Sequence, residues 1–199
     1  MSPAAAARTP ALLLVGAMGT GKSDASFHVF SRLYHHGIPT ARLDLDDVGM
    51  CHPTPDDDPH NMAVKAEAMA AAWRVFASHG ARCLVVSGGL DTPELIALHT
   101  RQLPDADWTV VRLRIGTEER RRRVLTRGML LGYTESEMEP TVAAGDDSER
   151  NVEGRNLTDL VLDTDGLDRQ QVVDLVLTTA GWPSVTEAAA LTRHEDSSA

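Results

Sequence analysis

Lysine is nearly missing from this chain of 199 residues: of its 19 basic side chains only Lys22 and Lys65 are lysine, and the rest are arginine. Cysteine is as scarce. Cys51 and Cys83 are too few, and too differently placed, for a disulfide framework or a cysteine metal site. Cys83 opens an apolar run and reads as an ordinary buried thiol. Positive charge is also in deficit. With 29 acidic side chains and a net charge of −10, general binding to nucleic acid or to an anionic membrane is disfavoured. No apolar run reaches the ~18 residues that span a bilayer. The apolar stretch near the start runs straight into a glycine-rich loop that signal cleavage would destroy, so the expectation is a cytoplasmic protein.

What remains is ordinary for one compact domain: 42% hydrophobic and 24% charged residues. The domain is expected over 1–182, with a C-terminal tail at 183–199 that has room for a short helix at 185–193. No internal repeat is evident. Short Val- and Leu-rich runs at 11–15, 41–45, 83–87, 109–115 and 159–163 are bounded by Gly, Pro or Asp, as buried parallel strands are. Helical segments alternate with them at 23–36, 60–79, 93–102, 118–127 and 167–180. Thr92-Pro93 starts one of these as cap and first helical residue, and Gly37, Gly80 and Gly181 end others. Alternation of this kind predicts a three-layer α/β/α fold around a five-stranded parallel sheet.

The first strand leads into Gly16-Ala17-Met18-Gly19-Thr20-Gly21-Lys22-Ser23. This is the pattern G-x-x-x-x-G-K-[ST], placed as it must be between a buried strand and a helix. Glycines let the backbone wrap a phosphate with its N–H groups inward, and the helix start adds partial positive charge. Residues 16 and 18–24, ending at Asp24, are therefore assigned to the nucleotide. Lys22 is expected on the terminal phosphates and the Ser23 hydroxyl on Mg²⁺.

Further absences narrow the use of that phosphate. A guanine-reading N-K-x-D would need a lysine outside the loop, and Lys65 lies in VKAE. The strand at 83–87 ends in Ser87-Gly88-Gly89 with no carboxylate, unlike the strand beside the loop in a motor. Glycines there let a small molecule approach the backbone, which places Gly88 and Gly89 at an acceptor. Acid stands instead at the end of the second strand, in Leu43-Asp44-Leu45-Asp46-Asp47. Spaced i, i+2 on a strand, Asp44 and Asp46 would share one face. One carboxylate can hold the Mg²⁺ shell through water, and the other can take a proton from an attacking hydroxyl.

After the fourth strand comes Glu118 to Arg127, with Arg123 and Arg127 as i, i+4 neighbours. One guanidinium is expected against the nucleotide base and the other on the phosphate as charge develops. Arg120 to Arg122 read as a solvated face paired with Glu118 and Glu119. Residues 128–156 read as a mobile lid, with Arg150 or Arg155 closing on phosphate. On the acceptor side His60 and Asn61 are the candidate pocket residues, with Lys65 one turn beyond Asn61. A nucleoside monophosphate acceptor would need an arginine there, and residues 47–73 contain none.

Together GAMGTGKS, LDLDD, the Arg pair before a lid and LVLDTDGLD at 160–168 resemble the P-loop small-molecule kinases. That group includes shikimate and gluconate kinases, adenylylsulfate kinase and chloramphenicol phosphotransferase. The resemblance implies Asp44 near Mg²⁺, Asp46 near the acceptor hydroxyl, the loop after the last strand near adenine, and ATP as donor. It implies transfer of the terminal phosphate of Mg·ATP to a hydroxyl of a metabolite or antibiotic, with Lys22, Asp44, Asp46 and Arg127 as catalytic residues. The alternative is a nucleotide-binding or regulatory ATPase with no small-molecule acceptor. The residues around the lid match the substrate arginines of neither shikimate nor adenylylsulfate kinases, so the acceptor is unnamed, and the oligomeric state is open.

Overall fold

The computed structural model describes residues 8–153 and 158–182. The tail at 183–199, with its expected helix, and Arg155 lie outside the described residues. Five strands form one parallel sheet in the order β2-β3-β1-β4-β5. They are β1 (Thr9–Val15), β2 (Thr40–Asp44), β3 (Cys83–Ser87), β4 (Ala106–Arg114) and β5 (Leu160–Asp163). Between them run α1 (Lys22–His35), α2 (Leu45–Val48), α3 (Met62–Ser78), α4 (Pro93–Thr100), α5 (Thr117–Leu130) and α6 (Glu135–Val152), and α7 (Arg169–Thr179) follows β5.

The period-2 geometry of β1 explains why its run is apolar throughout. Ala11, Leu13 and Val15 join Met69, Trp73 and Ile96 on the face covered by α3 and α4. Leu12 and Leu14 join Val29, Leu33, Val173 and Val176 on the face covered by α1 and α7. Each of these fully buried leucines contributes about 1.5–3 kcal/mol. Central placement puts the loop after β1 in the middle of the sheet's carboxyl edge, where ligands bind in open α/β folds.

Two elements depart from the sequence reading. The expected strand 41–45 stops at Asp44, and Leu45 begins the short helix α2. Asp44 is its N-cap, accepting from Asp46 N at 3.1 Å, and Asp46 and Asp47 fall in its first turn. Asp44 and Asp46 thus do not share a strand face. The expected mobile cover is largely the 18-residue helix α6. A capping box fixes its start, with Thr134 bonded to Glu137 in both directions. No helix among the described residues is long and apolar enough to cross a membrane.

Candidate functional site

The loop after β1 is held open by its own backbone. Gly16, Gly19 and Gly21 all have positive φ, and a Cβ at Gly16 would stand 2.5 Å from Leu113 O. Thr20 turns inward, donating from Oγ1 to Ala17 O at 2.9 Å, while Met18 is half exposed at the mouth. Lys22 opens α1 and is 8% exposed, with Nζ donating to Ala17 O at 2.9 Å. Burial lowers its pKa, against the raising influence of Asp46, Asp44 and Glu149, and Arg127 adds a smaller lowering. Ser23 and Asp24 follow on the exposed side. Asp24 accepts from Arg169 Nε at 3.1 Å, joining α1 to α7.

Behind the loop a buried polar network joins α1, β2 and β3. Ser87 Oγ donates to Asp44 Oδ2 at 2.9 Å and lies 2.9 Å from Ser26 Oγ. Arg42 donates to Asp44 Oδ2 and to Ser23 O, each at 3.2 Å. Asp44 is therefore fixed beside Ser23. Two residues on, Asp46 lines the cleft with its side chain 63% exposed, and Lys65 Nζ donates to it at 3.2 Å. The Lys65 stem lies across Gly49, where any Cβ would collide with it.

A cleft of about 1460 Å³ runs over this edge of the sheet. Among its lining residues are the glycine loop, Asp24, Asp46, His60, Lys65 and Gly89, with Arg123 and Arg127 from α5. Arg123 stands beside Gly21, its Nη1 3.8 Å from where a Cβ there would lie, and its Nε donates to Glu119 at 2.8 Å. Two expected acceptor residues serve the fold instead. Asn61 is buried, with positive φ, and its Nδ2 donates to Gly49 O and Cys51 O at 3.1 and 2.9 Å. It ties the loop after α2 to the start of α3 and does not line the cleft. Gly88 likewise leaves room for Leu45, whose Cδ1 would be 2.6 Å from a Cβ there.

The arginine run also needs correction. Arg122 pairs with Glu119 and Arg121 with Glu139 on the surface, but Arg120 is 1% exposed. Its guanidinium bonds Asp146 of α6 and donates to Met18 O of the glycine loop at 3.4 Å. Gly145 is where α6 comes close enough, since a Cβ there would meet Arg120 Nη1. A second buried pair, Arg112 of β4 with Glu149 of α6, fastens the same helix to the sheet. Arg150 is exposed and bonded to Asp147.

No family model and no curated protein matches the sequence. Solved structures do. The Deinococcus radiodurans tunicamycin resistance protein is 17% identical with a TM-score of 0.63, over 88% of this chain and 98% of that one. The Mycobacterium tuberculosis APS kinase, solved in complex with AMPPNP and APS, is 18% identical with a TM-score of 0.61 over 88% and 97%. A gluconokinase from Sinorhizobium meliloti is 16% identical with a TM-score of 0.57 over 94% and 97%.

The fold is that of the P-loop kinases.

Within a P-loop kinase fold, the features that sequence reasoning missed each had a local signal or none. Thr134-x-x-Glu137 is a capping box in plain sight. Arg120 lies four and eight residues before the buried Val124 and Gly128, so it continues their stripe. Arg112 and Glu149 meet across 37 residues of chain, and no local pattern announces that pairing.

Proposed function

We propose that the protein is a Mg·ATP-dependent phosphotransferase acting on a hydroxyl of a small molecule. The observation that carries this reading is one cleft with the phosphate-type loop and Asp46 on its wall. At about 1460 Å³ it exceeds the ~300–1,000 Å³ of a single-ligand pocket, leaving room for donor and acceptor together.

In this reading the backbone N–H groups of residues 16–23 hold the donor phosphates, and Lys22 exchanges Ala17 O for a phosphate oxygen. A buried, poorly solvated ammonium gains most from an anionic partner, which is the electrostatic advantage of keeping Lys22 inside. The residues present suit Mg²⁺. Ser23 is exposed at the start of α1 and Arg42 bridges its backbone carbonyl to Asp44, so a hydroxyl and a carboxylate, both hard oxygen donors, stand on adjoining elements. Asp44 already accepts from Ser87, Arg42 and the Asp46 N–H, so it would act through water. Bound there, Mg²⁺ would offset charge on the transferring phosphate. Asp46, oriented by Lys65, accepts the acceptor's hydroxyl proton on a carboxylate oxygen. Arg127 offsets charge on the phosphate, and Arg123 contacts the nucleotide. His60 and Gly89 contact the acceptor.

The test is a panel of hydroxylated compounds assayed for ATP-dependent ADP release, with product mass checked for an added phosphoryl group. Acceptor-dependent release with the mass gain is expected. ADP release indifferent to every acceptor would replace this reading with a nucleotide hydrolase.

A further inference from the structure

The acceptor half of the cleft is poor in positive charge and lined by apolar side chains. It lies over β2 and β3, with Asp46, His60, Lys65 and Asp91 as its polar wall. Lys65 is its one ammonium among the described residues, and that ammonium is taken by Asp46. No arginine lines this side. The three in the cleft lie elsewhere: Arg123 and Arg127 sit on α5, with Arg123 beside Gly21 at the donor phosphates, and Arg169 opens α7 and is bonded to Asp24 next to the glycine loop. A sulfate, phosphate or carboxylate on the acceptor would find no guanidinium fork here, and would face Asp46 and Asp91.

Apolar surface takes the place of charge. Met62 and Leu95 line the cleft from α3 and α4. From the other side come Leu131 and Tyr133, at the turn joining α5 to α6, and Met138 near the start of α6. Leu131 is 68% exposed and Tyr133 53% exposed, beside Met129 and Leu130, which are exposed as well. Four neighbouring large apolar side chains in water form a patch that surface composition alone does not call for. Leu131, the C-cap of α5, lies eight residues beyond Arg123, about 12 Å along the helix axis from that donor-side arginine. Leu131 and Tyr133 line the same cleft, so a bound molecule is the occupant that buries them.

We infer that the acceptor carries no anionic group and presents an apolar body, its hydroxyl directed to Asp46 and its body against Leu131, Tyr133 and Met138. This assignment rests on the phosphotransferase reading and names the acceptor class for the same site. Specificity would come from area removed from water plus rejection of anions, the latter because a carboxylate would be desolvated without a partner.

The experiment uses the full chain loaded with AMPPNP and matched sets of acceptor probes: 4-nitrophenyl hexosides, the corresponding 4-nitrophenyl hexuronides, and methyl hexosides. Binding is measured by calorimetry, transfer by product mass with ATP, and oligomeric state by light scattering. The nitrophenyl hexoside of at least one set should bind at least about tenfold more tightly than its uronide and its methyl counterpart. The double substitution Leu131→Ser, Tyr133→Ser should cut that advantage to about threefold or less, with AMPPNP affinity unchanged. Equal or tighter binding of the uronides overturns the assignment, as does failure of every hexoside to bind. So does a double variant that keeps the preference and changes only the oligomeric state, which would make the patch a contact between copies. Uronide transfer would sink this assignment and leave the phosphotransferase reading intact. Hexoside binding in the expected order without transfer would do the reverse.

Discussion

In the proposed reading, the donor end of the cleft is made of backbone and the acceptor end of side chains. At the donor end, eight consecutive residues make the nest, three glycines at positive φ shape it, and strand β1 and helix α1 anchor it on either side. At the acceptor end, Asp46 stands on a four-residue helix whose position depends on Asp44, Ser87, Arg42 and Lys65, from three other elements. A site written in one contiguous stretch depends little on the rest of the fold. A site assembled from distant side chains inherits the placement of every element that supplies one. Helix α6 links the two ends, with Arg120 fastening it to Met18 of the glycine loop.

The sharpest way to break this contrast is Lys22→Met. Turnover should fall by about 10²–10³-fold, the scale of losing one charge-stabilising donor. The folded protein should nonetheless melt no lower than wild type, because an ammonium that burial disfavours has been removed. Calorimetry and steady-state kinetics on the same preparation check both halves, and a large drop in Tm would contradict the electrostatic account of the loop.

Arg120→Ala comes next. It removes the tie between α6 and the glycine loop and should cost about 1–3 kcal/mol of stability. Hydrogen exchange should accelerate in α6 and around Met18 more than in β1 or β3, and uniform acceleration would argue against a specific tie.

A smaller effect is expected at the acceptor end. Lys65→Met leaves Asp46 without its partner, and since Asp46 is well exposed the pair contributes little. Turnover should fall about 2–5-fold with nucleotide affinity unchanged. A matching loss of nucleotide affinity would merge the two ends that the structure separates.

The smallest effect is at the base of α5. Bonds from Arg122 and Arg123 hold Glu119 down to about 2, below its usual carboxylate value of 4.5. A carboxylate with a depressed folded value stabilises the fold above its unfolded pKa and loses that contribution as pH falls from about 4.5 to about 2. Glu119→Gln should therefore flatten the acid limb of the stability curve slightly in that window, as read by Tm against pH. An unchanged acid limb would show that these exposed bonds contribute nothing.

Much of this was legible in the sequence because it is local. The glycine loop, the strand-helix alternation and the buried Cys83, whose thiol burial pushes up to about 11, follow from contiguous residues. LDLDD was misread because strand alternation and an Asp-capped helix start look alike over five residues, and the sheet's edge decided for the helix. Asn61 and Gly88 looked like acceptor residues because position near a site is visible in sequence, whereas the carbonyls and side chain that occupy them are not. In a row of four arginines, burial of Arg120 depends on α6 packing across it at Gly145.

The central claim is that the donor loop and Asp46 act on one phosphate within one cleft. It is tested most directly by following the γ-phosphate of ATP by ³¹P NMR with a hydroxylated acceptor, for wild type and for Asp46→Asn. Wild type should give a phosphate monoester. Asp46→Asn should form it about 10²–10⁴-fold more slowly while binding AMPPNP as well as wild type does. A monoester formed at the wild-type rate by Asp46→Asn, or inorganic phosphate as the sole product of both, would contradict the account.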